Sequence, residues 1–305
     1  MRVLVTGGAG FIGSHIVDAL VLSGAHAAVL DDLSTGRAEN VRSGVRLYRM
    51  RVQDPGLDEV IAGERPDVVF HQAAQVSVPA SIRNPLADGE INLLGTLNLI
   101  EACLRHGAPK IVFASSAAVY GQPVYLPVDE EHPVAPLAPY GVSKLAAEFY
   151  LAMYARTRDL RFTALRYANV YGPRQDAAGE GGVVAIFADR LRRGEAPAIF
   201  GDGEQTRDFV HVRDVAAANL LAAAKGDGEV INVGAGSRVT VNTLWETFCR
   251  VAGRRLDPVY SPPRSGDILH SSLSPEKARR ELAWQPETSL DKGLEDTLAG
   301  FGFKV

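Results

Sequence analysis

Tyr140 and Lys144 stand four residues apart in PYGVSKLAAEFY, a spacing that puts both side chains on one face of a helix. A free phenol has a pKa near ~10, and a neighbouring ammonium favours its ionised form by charge attraction. The pair can therefore supply a base near neutral pH. About two dozen residues earlier, FASSAAVYG brings Ser115 and Ser116 to the end of an apolar strand pattern, where open α/β sheets bind their ligands. Ala117 and Ala118 follow directly and can neither give nor take a proton.

VLVTGGAGFIGSH places Gly7, Gly10 and Gly13 in a GxxGxxG spacing between a strand pattern and an amphipathic helix. Glycine here lets backbone N–H groups approach a pyrophosphate, whose charge the helix N-terminus favours. Asp31 closes the next strand pattern at the offset of a ribose-binding acid. Its carboxylate accepts bonds from a 2′-hydroxyl and repels a 2′-phosphate, so NAD is expected rather than NADP. Arg37, close by, reads as a solvated loop arginine.

The elements that must position these residues alternate through the first half of the chain. RVLVTG, HAAVLD, VRLYRM, DVVFHQA, KIVFAS and FTALRYANVYG read as strands separated by helices, and near-continuous apolar strands imply a parallel sheet covered on both faces. The expected fold is α/β, a doubly wound Rossmann sheet over residues 1–166. A smaller α/β substrate-binding region over 167–305 is partly interleaved with it. That second region is marked by Gly- and Pro-bearing loops, YGPRQDAAGEGG and SPPRSGD.

A net charge of −4 leaves no basic footprint for nucleic acid. No stretch reaches the ~18 apolar residues of a membrane span, so a cytoplasmic protein is expected. Cys103 and Cys249 lack a CxxC partner, and the seven histidines have no metal-like spacing, so reduced thiols and no metal site are expected.

TGGAGFIGSH, DDLSTGRAEN, HQAAQVSV, INLLGTLNLIEA, FASSAAVYG, PYGVSK, RYANVYGPRQ, IFGDGEQTRDFVHVRDVA and PPRSGDILHSS, in that order, make the chain resemble the extended short-chain dehydrogenase/reductases. The UDP-glucose (UDP-galactose) 4-epimerase group is the most similar, over nearly the whole chain. The resemblance implies that Ser116 bonds the sugar 4-hydroxyl, Tyr140 takes its proton, and Lys144 orients Tyr140 and holds the nicotinamide ribose. It implies a cofactor site of Gly7, Gly10, Phe11, Ile12, Gly13, Asp31, Asp32, Ser34, Thr35, Gly36, Val52, Ala73, Ala74, Gln75, Asn92, Ser115, Tyr140, Lys144 and Tyr167. Where the family usually carries an aspartate for the adenine, this chain has Arg51.

For the substrate, a UDP-sugar, the resemblance implies contacts from Ser77, Ser116, Ala117 and Tyr140. It adds Asn169, Arg207, Arg264 and Asp267 for the diphosphate and ribose, and Gly182, Val183 and Phe200 for the uracil. Ser271 occupies the position that limits bulk at the sugar C2, and its small size admits an N-acetyl group. Related dehydratases and decarboxylases carry acids where Ala117 and Ala118 stand. Elimination needs an acid and a base beside the ring, so the alanines favour epimerisation at C4 with tightly held NAD.

A UDP-glucuronate 4-epimerase is the alternative, with Ser115, Ser116, Arg174, Arg192 and Arg193 as candidate carboxylate donors. Arg192 and Arg193 also fit a solvated helix face. Asp31 argues against an NADP-dependent reductase, and a nicotinamide sensor has no need of Ser116, Tyr140 and Lys144 together. The resemblance implies a homodimer paired through helices over about residues 92–106 and 140–157. Their apolar outer faces agree with pairing and equally with core packing.

Overall fold

A computed structural model describes residues 1–177, 182–264 and 266–303. Parts of the two quoted loops, residues 178–181 and 265, lie outside that range. The first half runs β1 (Arg2–Thr6), α1 (Phe11–Leu22), β2 (His26–Leu30), β3 (Arg46–Tyr48), α2 (Leu57–Glu64), β4 (Val68–His71), α3 (Val78–Arg83), α4 (Pro85–Gly89), α5 (Gly95–Arg105), β5 (Lys110–Ser116), α6 (Pro139–Arg158) and β6 (Phe162–Tyr167). The second runs β7 (Asn169–Tyr171), α7 (Val183–Arg193), β8 (Ala198–Phe200), β9 (Thr206–Arg207), β10 (Phe209–His211), α8 (Val212–Ala222), β11 (Glu229–Val233), β12 (Val239–Thr240), α9 (Val241–Val251), β13 (Val259–Ser261), α10 (Glu276–Leu282) and α11 (Leu290–Gly300).

Seven strands form one sheet in the order β11-β6-β5-β4-β1-β2-β3, every neighbour parallel. β1 shows why its sequence is apolar without alternation. Val3 and Val5 pack with Ile16, Val17 and Leu20 of α1, while Leu4 packs with Ile61 of α2 and Leu99 and Ile100 of α5. Successive side chains point to opposite faces, and here both faces are buried. Strand order reverses between β1 and β4, so the ligand crevice of a doubly wound sheet opens at their carboxyl ends.

The run FTALRYANVYG is two strands rather than one. β6 ends at Tyr167, and beyond Ala168 β7 leaves the sheet to pair with β10. The helix expected from residue 92 begins as a π-helical turn, Glu90–Leu94, that continues into α5; the second helix is α6. β11 forms the sheet edge beside β6 although it lies beyond residue 167, which interleaves the two regions. The smaller region has its own core, in which Phe187, Leu191, Trp245, Phe248 and Leu294 join α7, α9 and α11. Both cysteines are free, Cys103 buried and Cys249 half-buried. Among the described residues no helix is long and apolar enough to cross a membrane.

Candidate active site

The turn from β1 into α1 passes through a space that only glycine fits. A Cβ on Gly13 would lie 2.1 Å from Gly7 O, and one on Gly7 would lie 2.6 Å from Ala73 N; Gly7 also has φ +68°, open to glycine at no cost. Gly10 caps α1 with no side-chain bond, so the first-turn N–H groups of Phe11, Ile12 and Gly13 have no acceptor within the helix. This cradle fits a pyrophosphate. At its edge the buried Asp31 accepts from Ala9 N and Leu33 N, both at 2.9 Å, and burial raises its pKa above the ordinary carboxylate value. A Cβ on Gly36 would lie 2.7 Å from Asp31 Oδ1. Asp32 accepts from Ser34 N at 2.9 Å and Ser34 Oγ at 2.6 Å, beside Thr35. Arg51 reaches Asp32 at 3.9 Å from an exposed position, and Arg37 is exposed beside Glu39. Val52 is buried behind Gly95, its carbonyl accepting from Asn98 Nδ2 at 2.9 Å.

Across the crevice, the loop after β4 carries Ala73, Ala74 and Gln75. Asn92 clamps it, accepting from Gln75 N at 2.8 Å and donating to Gln75 O at 2.9 Å. Asp88 holds the clamp in turn. Its Oδ1 accepts from Gln75 Nε2 at 2.9 Å and Asn92 Nδ2 at 3.1 Å, and its Oδ2 accepts from Ser143 Oγ at 2.7 Å. Such a carboxylate, 1% exposed, is tolerable inside because it is fully hydrogen-bonded. The Ser77 hydroxyl caps α3, accepting from Ala80 N at 2.9 Å.

Below the loop, the buried His71 ring bridges Thr6 Oγ1 at 2.7 Å and Thr96 Oγ1 at 2.9 Å. Thr96 donates its proton to Asn92 O, so it accepts from His71 Nε2–H, and Nδ1 accepts from Thr6. The ring is therefore neutral, and burial, then the Lys144 charge, holds its pKa down to about 3.

Ser116 ends β5 and caps a 3-10 turn, Ala117–Val119, its hydroxyl accepting from Ala118 N at 3.2 Å. The first turn of α6 packs on this turn and brings Tyr140 to Ser116. Burial raises the phenol pKa, and the hydrogen bond with Ser116 draws it back in part. Lys144, one turn on, is buried and donates to Ala114 O at 2.8 Å, with its ammonium 4.9 Å above the Phe113 ring. Burial pushes its pKa down to about 8 against the pull of Asp88 and Glu148. The four-residue spacing puts Tyr140 and Lys144 on one face as expected, but the amine is bound by the strand carbonyl rather than seated on the phenol.

Two further expected contacts have their side-chain groups engaged inside the protein. The Ser115 hydroxyl donates to Glu148, which forms a two-bond pair with Arg166 at 2.9 and 2.6 Å; β-strand alternation turns Ser115 away from Ser116. The Tyr167 hydroxyl accepts from Asn219 Nδ2 at 2.8 Å and Gln72 Nε2 at 3.3 Å. What Ser115 and Tyr167 can offer the crevice is backbone and ring surface.

In the smaller region, Arg207 Nη2 meets Asp267 Oδ1 at 2.6 Å, and the Arg264 guanidinium lies 4.0 Å over the Phe200 ring. The arginine and the flat face expected to stack on a base thus form one unit. Asn169 is exposed at the start of β7. Gly182 and Val183 open α7, whose N-terminus has no side-chain cap. Ser271 is half-buried, its N–H donating to Thr206 O at 3.2 Å.

The family model for the NAD dependent epimerase/dehydratase family matches residues 3–234. The chain belongs to that family. The UDP-glucose 4-epimerase of Mycolicibacterium smegmatis is 43% identical over 308 residues, 99% of this chain and 98% of that one. The crystal structure of UDP-glucose 4-epimerase from Thermotoga maritima with UDP-glucose is 46% identical, with a TM-score of 0.97 over 99% of both chains. That of the Thermus thermophilus enzyme in complex with NAD is 44% identical, with a TM-score of 0.94 over 100% of both chains.

In this member of the family, the arginines considered for a sugar carboxylate have partners of their own. Arg174 binds Asp18 at 2.7 Å, and Arg192 and Arg193 bind Asp189 at 2.8 and 2.9 Å on the outer face of α7. Ser115 is taken by Glu148. Sequence reasoning missed Asp88, Ser143 and His71. A signal was present: Asp88 lies four residues before Asn92, one helical turn away, and Ser143 lies three after Tyr140.

Proposed function

We propose that the protein interconverts UDP-glucose and UDP-galactose through a 4-keto sugar. The observation that carries this reading is the seating of the first turn of α6, with Tyr140, on the Ala117–Val119 turn that follows Ser116 at the carboxyl edge of the sheet, a turn with no acid or base in it. Ser116 holds the sugar 4-hydroxyl and Tyr140 takes its proton, keeping it until C4 is reduced again and the 4-oxygen takes the proton back. When bound, NAD supplies a reversible two-electron acceptor and, in its oxidised form, a positive charge that favours the phenolate. The Gly7–Gly13 turn would hold its pyrophosphate and Asp31 its adenosine ribose.

Elimination has no acid or base at Ala117 and Ala118, so the keto sugar remains to be reduced from either face. Arg207 with Asp267, and Arg264 on Phe200, would anchor the diphosphate and uracil while the sugar turns. Asn169, Gly182 and Val183 complete that grip. Ser271, Ser77 and Ala117 would stand near the sugar.

The test is to give the purified protein UDP-galactose, UDP-N-acetylgalactosamine and UDP-galacturonate separately, without added NAD, and to follow the sugar protons by NMR. UDP-galactose is expected to convert to UDP-glucose and UDP-galacturonate to remain unchanged. No turnover of UDP-galactose, even with NAD supplied, would overturn the reading.

Two copies are proposed to pair through the helix that runs from the π-helical turn into α5, and through α6. Leu86, Leu94, Val142, Phe149 and Tyr150 are exposed on α4, the π-helical turn and α6, more apolar surface than a solvated helix pair carries. Phe149→Glu is expected to shift sedimentation from dimer to monomer. The reading keeps the protein in the cytoplasm, where free Cys103 and Cys249 stay reduced.

A further inference from the structure

We infer that Asp208 is a positioning residue for the nucleotide-sugar site, a buried carboxylate that fixes the segments carrying Asn169, Arg207 and Ser271 relative to one another. The inference rests on the substrate reading above and extends it to a residue that touches no substrate.

Asp208 lies between β9 and β10 and is 1% exposed. Its Oδ1 accepts from Ala235 N at 2.9 Å, and its Oδ2 accepts from Leu273 N at 3.1 Å and Gly236 N at 3.3 Å. Its own carbonyl accepts from Asn169 N at 2.9 Å. Ser271 is thereby held on both sides, by Thr206 O at its N–H and by the carboxylate two residues on. Arg207 precedes Asp208 in the chain, so its backbone moves with the same anchor. Room for the carboxylate is provided by Gly234, where a Cβ would fall 2.4 Å from Asp208 Oδ2.

The hydrogen bonds to the carboxylate come from backbone N–H groups, with that of Ser237 joining Ala235, Gly236 and Leu273 in lowering its pKa. The charged or titratable side chains on the surrounding elements include Arg207 paired with Asp267, His270 bonded to Thr206 Oγ1, Glu130 bonded to Asn232 N, the exposed Arg238 and, on β10, the buried His211 beside Asp296. None of them hydrogen-bonds Asp208 among the described residues. Burial accordingly raises its pKa to about 6, against the lowering effect of the backbone bonds. An acid whose pKa is raised by folding holds its proton more tightly in the native state, so stability falls as pH rises from about 4 to about 6. At neutral pH the fold carries this ionised group at a net cost. The return is geometric: both oxygens accept only while ionised, whereas the protonated acid turns one of them into a donor facing N–H groups.

The test is calorimetric titration of UDP-glucose, whose diphosphate diester does not titrate in this range, into the NAD-bound protein from about pH 7.5 to about pH 5. Wild type is expected to bind about tenfold more weakly at the acid end. Asp208→Asn, which presents an amide N–H₂ to the same donors, is expected to bind about tenfold more weakly at the neutral end and to lose that pH dependence. The comparison separates Asp208 from His270 and Glu130, which the variant retains. Gly234→Ala displaces the carboxylate without removing it and is expected to weaken binding at neutral pH, which keeps the inference open to refutation if Asp208→Asn does not fold. Binding by either folded variant within about twofold of wild type at every pH overturns the inference alone. Failure of wild type to bind UDP-glucose overturns the substrate reading and the inference with it.

Discussion

A Cβ atom on Gly141 would stand 2.6 Å from the Ala118 carbonyl oxygen and 2.8 Å from Pro136 Cβ, so the first turn of α6 rests directly on the turn that follows Ser116. Gly141→Ala must push α6 away and part Tyr140 from Ser116. Alanine for glycine inside a helix normally stabilises by about 0.5–1 kcal/mol, but overpacking here is expected to destabilise by about 1–3 kcal/mol. Urea denaturation would read this together with a loss of kcat of about tenfold or more.

Tyr140→Phe removes the proposed base and is expected to lower kcat by about 10²–10⁴-fold. Ser116→Ala is subtler. The Ser116 bond is what draws the phenol pKa down against burial, so its loss raises that pKa further. The acid limb of kcat/KM should move to higher pH, a shift read from the full pH profile; an unmoved limb would separate Ser116 from Tyr140.

Lys144 titrates at about 8 in the fold and at ~10.4 when unfolded. The native state thus binds this proton less tightly, and stability rises with pH through that window. Below about pH 8 the buried charge is a standing cost that Lys144→Met removes. The variant's stability relative to wild type should fall by roughly 3 kcal/mol as pH rises from about 8 to about 10.4. Chemical denaturation at several pH values checks the sign, and kcat is expected to be reduced throughout.

Ser271 is held by its backbone at Thr206, so a larger side chain there cannot retreat along the chain. Ser271→Tyr is expected to depress conversion of UDP-N-acetylgalactosamine about tenfold more than that of UDP-galactose, measured by NMR on each substrate. Equal effects on the two would remove Ser271 from the selection at C2.

The sheet and the glycine turn were legible in the sequence because each is dictated locally. Buried strands must be apolar on both faces, and Gly7 and Gly13 stand where any Cβ collides. The FTALRYANVYG run was not, since the departure of β7 toward β10 is decided by a partner some forty residues away, not by strand propensity. The site was legible as a set of residue types but not as a set of directions. Ser115 and Ser116 are adjacent in sequence, yet one hydroxyl is bound to Glu148 and the other meets Tyr140. Lys144 shares a helical face with Tyr140 but is bonded to Ala114 O, a group whose position only the folded sheet defines. Asp88 escaped notice because its three donors come from the loop after β4, the π-helical turn and α6, which converge only in three dimensions.

Asp88 also bears on the proposed base, since its charge raises the pKa of Tyr140 and opposes the depression of Lys144. Asp88→Ala leaves Gln75, Asn92 and Ser143 short of an acceptor and is expected to cost about 3 kcal/mol in stability. Asp88→Asn keeps the shape, and Ser143 can turn its hydroxyl to accept from the new amide. That variant should fold with a smaller loss while removing the negative charge. With it gone, the Tyr140 pKa falls, and the acid limb of kcat/KM moves to lower pH. Ser116→Ala is expected to move the same limb the other way. Opposite displacements in the two variants would establish one phenol as the group that titrates; displacements of the same sign would assign the limb to another residue.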